Sequence, residues 1–382
     1  MTSEDRKEAR YQRRLAKRKE KVNNIKYQDF DELFTFDNLY KAGKKVCNKA
    51  RYKSSVISFE TDLCHRISKI YKDIYNNTRK FKGFISWIQR DRGKERVINT
   101  LHIDDKALQK CLCYNLLLPL LKRSFIYENA ACIKHKGMSF SLSLIKKHLS
   151  KHFRKYGLNG GIYLFDFKDY FLSLPHDDIK EKLKSKIKDE RIYNMISSFI
   201  DDFNTMQGSL GKNKGVCLGT EISYILALDY TNPLDHYIKD HLKVKGYGRY
   251  MDDGYIISDS IEKLKEYRAL IHIFVRTLGI RLNEKKDKII PFKCHGFTFL
   301  KMRIHVDNNG KIIMRLSRKS IKAMRRKLTK FKKWLDNKSR SIDIKDIISS
   351  YKAWRSYALH CDSYRTIKNM DNYFQRLFKD YM

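Results

Sequence analysis

Gly248-Arg249-Tyr250-Met251-Asp252-Asp253-Gly254-Tyr255-Ile256-Ile257-Ser258 sets two adjacent carboxylates in the middle of a run of aromatic and aliphatic β-formers. Asp253-Gly254 is a tight-turn dipeptide, so the run reads as a β-hairpin with Asp252 and Asp253 at or beside its turn. Two like charges held there repel, and one carboxyl is pushed toward its neutral form unless a cation joins them. The doublet therefore reads as a metal site, against the alternative of a solvated Asp-Asp-Gly turn. A further carboxylate elsewhere in the chain is needed to decide.

That carboxylate is upstream. Gly161-Ile162-Tyr163-Leu164-Phe165-Asp166-Phe167-Lys168-Asp169-Tyr170-Phe171 is an apolar β-type run that delivers Asp166 at its end. A lone carboxylate in such a run is costly to bury unless it is paired or bound to metal. The plainer reading is a strand-ending Asp that caps the next helix. Asp169 could equally be that cap, which leaves Asp166 without a structural task. Asp166, Asp252 and Asp253 would supply oxygen ligands for two Mg²⁺ ions about 4 Å apart, with Mn²⁺ as a substitute. Such a pair stabilises the attacking and leaving oxygens of an in-line phosphoryl displacement.

Here the chain resembles the reverse transcriptase family, over roughly residues 80 to 360. Asp166 to Phe171 is similar to the family's first palm motif, and Tyr250 to Asp253 to its Tyr-x-Asp-Asp motif. Between them, Lys214-Gly215-Val216-Cys217-Leu218-Gly219-Thr220-Glu221-Ile222-Ser223 resembles the segment that opens the long palm helix. Leu278 to Lys286 is similar to the next palm motif, and His295 to Leu300 to the primer-grip strand. The resemblance implies an α+β right-hand polymerase fold of fingers, palm and helical thumb, behind a basic helical N-terminal extension. It places the extension at 1–78, the fingers at 79–158 and 177–215, the palm at 159–176 and 216–315, and the thumb at 316–382. The implied activity is RNA-directed DNA synthesis.

The resemblance also implies roles for single residues. Asp166 and Asp252 would bridge the metals, with the Phe167 carbonyl as a backbone ligand and Asp253 as a nearby, weaker one. Arg96, with Lys94 and Arg90 behind it, would hold the incoming triphosphate; plain surface charge on a turn is the alternative for each. Lys286, in the pattern Leu282-Asn283-x-x-Lys286, is a candidate proton donor to the leaving pyrophosphate, and Lys285 is its rival. Phe171 stands where an aromatic ring would collide with a ribose 2′-hydroxyl, which favours a DNA product; a core Phe is the alternative. Leu218 and Gly219 would line the nucleotide site. Tyr250, Met251, Gly137, Phe299 and Leu300 would meet primer and template.

Composition agrees. A formal net charge of +38 over 382 residues, with pI about 9.8, points to a polyanion partner whose binding weakens steeply with salt. The 13% of aromatic residues allow stacking on unpaired bases. The partners expected are a structured non-coding or template RNA, an RNA–DNA hybrid and dNTPs, with an accessory protein or a homo-oligomer left open. Eight cysteines show no Cys-x-x-Cys pair and no zinc-finger spacing, which suggests reduced, mostly buried thiols in a cytoplasmic protein. No signal peptide is expected. The longest apolar stretch, near Leu116 to Leu121, holds a proline and is far too short to span a bilayer, so no membrane partner is expected.

Along the chain, residues 1–26 read as a basic arm, and 27–78 as helical. Phe84–Ile88 and Arg96–Asn99 read as strands about a charged turn over Arg90–Lys94, and 104–123 as a helix. Beyond Arg315, nine cations from Arg318 to Lys333 interleave with Ile321, Met324, Leu328, Phe331 and Trp334 at helical spacing. In a polymerase this amphipathic helix is the thumb gripping duplex; a solubilising face is the alternative. Helices near 344–359 and 366–379 follow. About sixty-five residues follow Leu316, enough for a thumb and little more, so no ribonuclease H or endonuclease domain is expected here.

Two departures bear on the subfamily. Many relatives have Gln-Gly at the palm-helix entry, where this chain has Leu218-Gly219 followed by Ser223-Tyr224, and many have Phe-Leu-Gly where it has Phe299-Leu300-Lys301. An aliphatic residue before that Gly is similar to the error-prone enzymes of diversity-generating retroelements. Irregular motifs of this kind also occur in bacterial reverse transcriptases of antiviral defence, and the core is nearest the group II intron lineage. A catalytically silent RNA-binding scaffold and an RNA-dependent RNA polymerase are the rival functions. The intact acids speak against the first and Phe171 against the second.

Overall fold

Apolar residues at three- and four-residue intervals decide the first elements. Phe30 and Leu33, then Leu39, Ala42 and Cys47, then Leu63, Ile67, Ile70 and Ile74 fall on single faces of helices Phe30–Leu33, Phe36–Cys47 and Leu63–Tyr75, and all are buried. Asp29 and Thr35 start the first two helices by accepting hydrogen bonds from the amides of Asp31, Glu32 and Asn38. With Ser54–Thr61 they make the helical segment expected over 27–78. The computed structural model describes residues 28–48, 51, 53–91, 94–205, 213–294, 296–337 and 343–381, with Asp5, Ala9, Gln12, Arg13 and Ala16 ahead of them. The basic arm expected over 1–26 lies almost wholly outside the described residues.

The chain divides into two compact units. The first holds the described residues up to Tyr127, with Lys168–Tyr237 and Phe274–Arg281. After its N-terminal helices comes an antiparallel hairpin, β1 (Phe84–Asp91) and β2 (Lys94–Leu101). The strands are longer than expected. Backbone pairing continues to Asp91↔Lys94, so Arg90 and Lys94 lie in the ladder and not in a turn. Helix Ile103–Leu112 follows and passes through a π-turn, Cys113–Leu117, into Leu118–Lys122. Pro119 enters at the first turn of the restarted helix, where a missing amide donor is tolerated. Helices His176–Lys184, Glu190–Asp201 and Glu221–Tyr230 complete the unit, the last with eight of its ten residues buried.

The second unit comprises Glu128–Phe167, Ile238–Ile273 and the described residues from Leu282 onward. Its centre is a four-stranded antiparallel sheet in the order β4-β5-β3-β6, formed by β3 (Gly161–Asp166), β4 (Gly246–Tyr250), β5 (Asp253–Ser258) and β6 (Lys288–Pro291). Helix Met138–Tyr156 lays Leu142, Ile145 and Leu149 on Ile162, Tyr255 and Ile257 of this sheet. A three-stranded meander, β7 (Phe297–Phe299), β8 (Met302–Val306) and β9 (Ile312–Leu316), adds its alternating apolar residues to the same core. Helices Arg318–Asp336, Ile344–Ala358 and Tyr364–Phe378 enclose a second core of Met324, Leu328, Ile347, Tyr351, Met370, Phe374 and Phe378. Eight of the nine cations on the first of these helices are exposed, as the amphipathic pattern requires.

Three details depart from the sequence reading. The hairpin turn is not Asp253-Gly254. Tyr250 pairs with Asp253, so the two turn residues are Met251 and Asp252, and Gly254 lies inside β5. Packing displaces the local preference: Gly254 sits opposite Phe165, and a Cβ there would stand 2.2 Å from that ring. Asp169 occupies the N-cap position of the short helix Tyr170–Ser173, but its side chain makes no capping bond. All eight cysteines are free, but only Cys47, Cys111, Cys113 and Cys217 are buried; Cys64, Cys132 and Cys294 are exposed and Cys361 is intermediate. Among the described residues, no helix is long and apolar enough to cross a membrane.

Candidate active site

β3 and β5 run antiparallel in a register that sets Asp166 directly opposite Asp253. Like charges so paired destabilise a sheet. Asp252 occupies the turn beside them, and one carboxylate oxygen from each of the three residues lies within 4.8 Å of the others. The turn is itself unusual. Met251 has φ +55° at the first of two central positions, the II′ arrangement that glycine normally fills.

The electrostatics follow from this crowding. Burial, then the Asp253 and Asp166 carboxylates, push Asp252 up to about 7. Asp253 is also raised, by burial first, although Lys286 pulls against it. For Lys286, burial alone would lower the ammonium pKa, but Asp253 and Asp166 outweigh it and leave it raised. Three hard oxygen donors with more negative charge than the site can hold ionised are the donor set that suits a divalent ion such as Mg²⁺.

Two side chains already bond these carboxylates, and one of them, Lys286, neutralises part of the charge. Lys286 Nζ donates to Asp166 Oδ2 and, at 3.1 Å, to Asp253 Oδ1. Asn283 Nδ2 donates to Asp166 Oδ1 at 3.0 Å, while its backbone N–H donates to the Asp166 carbonyl at 2.8 Å. Asn283 is not among the site residues expected from the sequence. Its signal was in view, three residues ahead of Lys286 in the same Leu-Asn-x-x-Lys pattern.

Other predicted site residues stand in the same unit. Phe167 is buried and bridges to Leu282, so only its backbone is a candidate ligand. Tyr250 closes β4 opposite Asp253. Gly137, at φ +111°, precedes helix Met138–Tyr156, and its N–H donates to the Ala130 carbonyl at 2.8 Å. The Phe299 ring is core, edge-on to Tyr255 at 5.1 Å, and the Leu300 carbonyl accepts from the Tyr357 hydroxyl at 2.6 Å. Tyr255 in turn bonds His148 Nδ1 at 3.0 Å, and burial lowers that imidazole to about 4, so it is neutral near pH 7.

Residues 82–304, more than half of the chain and containing all three aspartates, match the family described as reverse transcriptase (RNA-dependent DNA polymerase). The chain belongs to the reverse transcriptase family. The α+β architecture is accordingly that of a right-hand polymerase. No curated protein matches the chain. Solved structures similar to it include apo telomerase from Candida Tropicalis, at 15% identity and TM-score 0.46 over 61% of this chain and 47% of that one. Another is telomerase from Candida albicans in complex with a fragment of telomeric RNA, at 13% identity and TM-score 0.48 over 66% of this chain and 51% of that one. This chain thus spans about half the length of those telomerase chains.

The remaining residues predicted from the reverse transcriptase resemblance lie in the first unit. Phe171 is half-buried, edge-on to Tyr224 at 5.3 Å, so the departure at Tyr224 packs against the predicted sugar-facing ring. The Leu218 carbonyl accepts from Asn99 N at 3.0 Å, which docks β2 on this loop. Gly219, at φ +123°, is required there, because a Cβ would lie 2.5 Å from the Asn99 carbonyl oxygen. Lys94 and Arg96 lie on β2, but their side chains fall outside the described residues, as do those of Arg90 and His295.

Proposed function

We propose that the protein is an RNA-directed DNA polymerase that extends a primer on an associated RNA. The observation that carries this reading is the set of Asp166, Asp252 and Asp253, with carboxylate oxygens within 4.8 Å, inside the family-matched residues. In this reading the four-stranded sheet belongs to the palm, the β1–β2 hairpin to the fingers and the helices from Arg318 onward to the thumb. Two Mg²⁺ ions bound by the three carboxylates would activate the primer 3′-hydroxyl and neutralise the triphosphate. Asp166 and Asp252 hold that charge, with Asp253 and the Phe167 carbonyl beside them. Lys286 leaves the carboxylates for the departing pyrophosphate and donates its proton there. Arg96 and Lys94 hold the triphosphate, Phe171 excludes the ribose 2′-hydroxyl, and Leu218 and Gly219 bound the nucleotide. Tyr250, Met251, Gly137, Phe299 and Leu300 meet primer and template. Most of the rate comes from positioning and charge neutralisation, since no side chain acts as nucleophile.

The test is purified protein given primed RNA, Mg²⁺ and either dNTPs or NTPs. Extension with dNTPs alone supports the proposal. Extension with NTPs alone would make it an RNA polymerase, and RNA binding without extension a scaffold.

The setting proposed is a cytoplasmic defence system or retroelement whose structured RNA is the template. Leu218 supports a mutagenic variant of this reading. Gln at that position can hydrogen-bond around the template–nucleotide pair, whereas Leu only packs, and packing separates similar shapes by about 1–3 kcal/mol. Leu218→Gln should therefore lower misincorporation in cDNA from a defined template, and equal error spectra would remove this variant.

A further inference from the structure

Arg249 is the bulkiest wholly buried side chain among the described residues. A guanidinium keeps its charge, so burying it is costly unless its donors are used. One donor is used at a particular place: Nη1 donates to the Met251 carbonyl oxygen at 2.8 Å. That oxygen belongs to the peptide plane joining Met251 to Asp252. Because the plane is rigid, restraining its oxygen restrains where the Asp252 Cα lies, and so the point from which its side chain departs. The Met251 end of the plane is held at φ +55°, a conformation a non-glycine residue keeps only when its surroundings impose it.

The Arg249 backbone is anchored as well. Its N–H donates to the Glu128 carbonyl at 3.4 Å and its carbonyl accepts from Ala130 N at 3.2 Å, giving β4 a short parallel neighbour at Asn129. Glu128 is itself paired with Lys239 at 2.6 Å. The side chain that fixes the turn therefore starts from a strand end held on both sides.

We infer that Arg249 is a positioning residue: its guanidinium holds the Met251–Asp252 peptide so that Asp252 faces Asp166 and Asp253. This rests on the polymerase reading of the same carboxylates. It differs from a plain core role, which would affect folding and leave the folded molecules equally competent.

Arg249→Met keeps an unbranched apolar stem and loses the donors; Arg249→Lys keeps the charge and one donor group. Each is compared with wild type for primer extension, Mn²⁺ binding by electron paramagnetic resonance, and folded fraction by circular dichroism. For folded Arg249→Met the expected result is kcat lower by about tenfold or more, KM for dNTP within about twofold, and weaker Mn²⁺ binding. Arg249→Lys should recover part of both losses, and it carries the test if the Met variant does not fold. Wild-type kcat and Mn²⁺ affinity in a folded variant would overturn the inference, as would losses that only track the folded fraction. If wild type binds Mn²⁺ but extends no primer, the polymerase reading fails, and the Mn²⁺ comparison still decides the role of Arg249.

Discussion

Lys286 Nζ stands 3.1 Å from Asp253 Oδ1 while it also binds Asp166, so one ammonium bridges the two acids that face each other across β3 and β5. It occupies, electrostatically, the place a divalent cation would take. Lys286→Met should therefore bind Mn²⁺ more tightly, because no resident cation has to be displaced. The same variant should turn over more slowly, by about a hundredfold if Lys286 protonates the leaving pyrophosphate. Mn²⁺ titration and single-turnover extension measure the two effects. Weaker Mn²⁺ binding would mean that Lys286 organises the acids and does not compete for them.

Gly254 faces Phe165 with no room for a methyl group, its Cβ position lying 2.2 Å from the ring. Gly254→Ala must push the ring or part β3 from β5. We expect a loss of about 1–3 kcal/mol in urea denaturation, with reduced extension by the folded fraction because the same two strands carry Asp166 and Asp253. An unchanged midpoint would show that the ring can move freely.

How far the sequence reached is clearest at this hairpin. The strands were legible, because alternation and apolar runs are local signals. The meeting of Asp166 with Asp252 and Asp253 followed from the charge chemistry of a metal site and the order of the family's motifs. The phase of the turn was not. Asp-Gly is a turn dipeptide by local preference, and the ring that requires a glycine at 254 belongs to a strand about ninety residues earlier. Arg249 shows the same limit. An arginine in a strand end reads as solvated, and the backbone bonds that hold this one come from Glu128 and Ala130, far away in the chain. Asn283 was readable from its spacing to Lys286, whereas the contact of Tyr224 with Phe171 needed the fold.

The turn between β7 and β8 is built from Leu300 at φ +44° and Lys301 at φ +66°. Both residues occupy the left-handed region, where a Cβ costs about 1–2 kcal/mol. Relatives with Gly at the second position avoid that cost. Lys301→Gly should stabilise the protein by about 1 kcal/mol, visible as a higher urea midpoint with unchanged slope. A lower midpoint would mean that the Lys301 side chain makes a contact worth more than the strain.

Asp287 is buried and accepts from Arg268 Nη2 at 2.8 Å and His272 Nε2 at 2.8 Å. Burial alone would raise its carboxyl, but Arg268, then Tyr163 and His272, hold it below the usual range. A carboxyl depressed by folding adds stability that is present above its unfolded pKa, about 3.9, and is lost as pH falls through the lower folded value. The acid limb of the stability curve should be steeper for wild type than for Asp287→Asn, which lacks this proton. Urea midpoints between about pH 5 and 2 measure it, and parallel curves would exclude the linkage.

In the proposed reaction Asp166, Asp252 and Asp253 hold the ions that drive primer extension. Asp252→Asn removes one charged ligand and changes the volume of the site very little. Primer extension on RNA with Mg²⁺ and dNTPs, measured beside RNA binding for both proteins, tests it directly. The expected result is extension below detection with RNA affinity within about twofold of wild type, if affinity comes from the basic surfaces and not from this carboxylate. Extension by Asp252→Asn at close to the wild-type rate would contradict it.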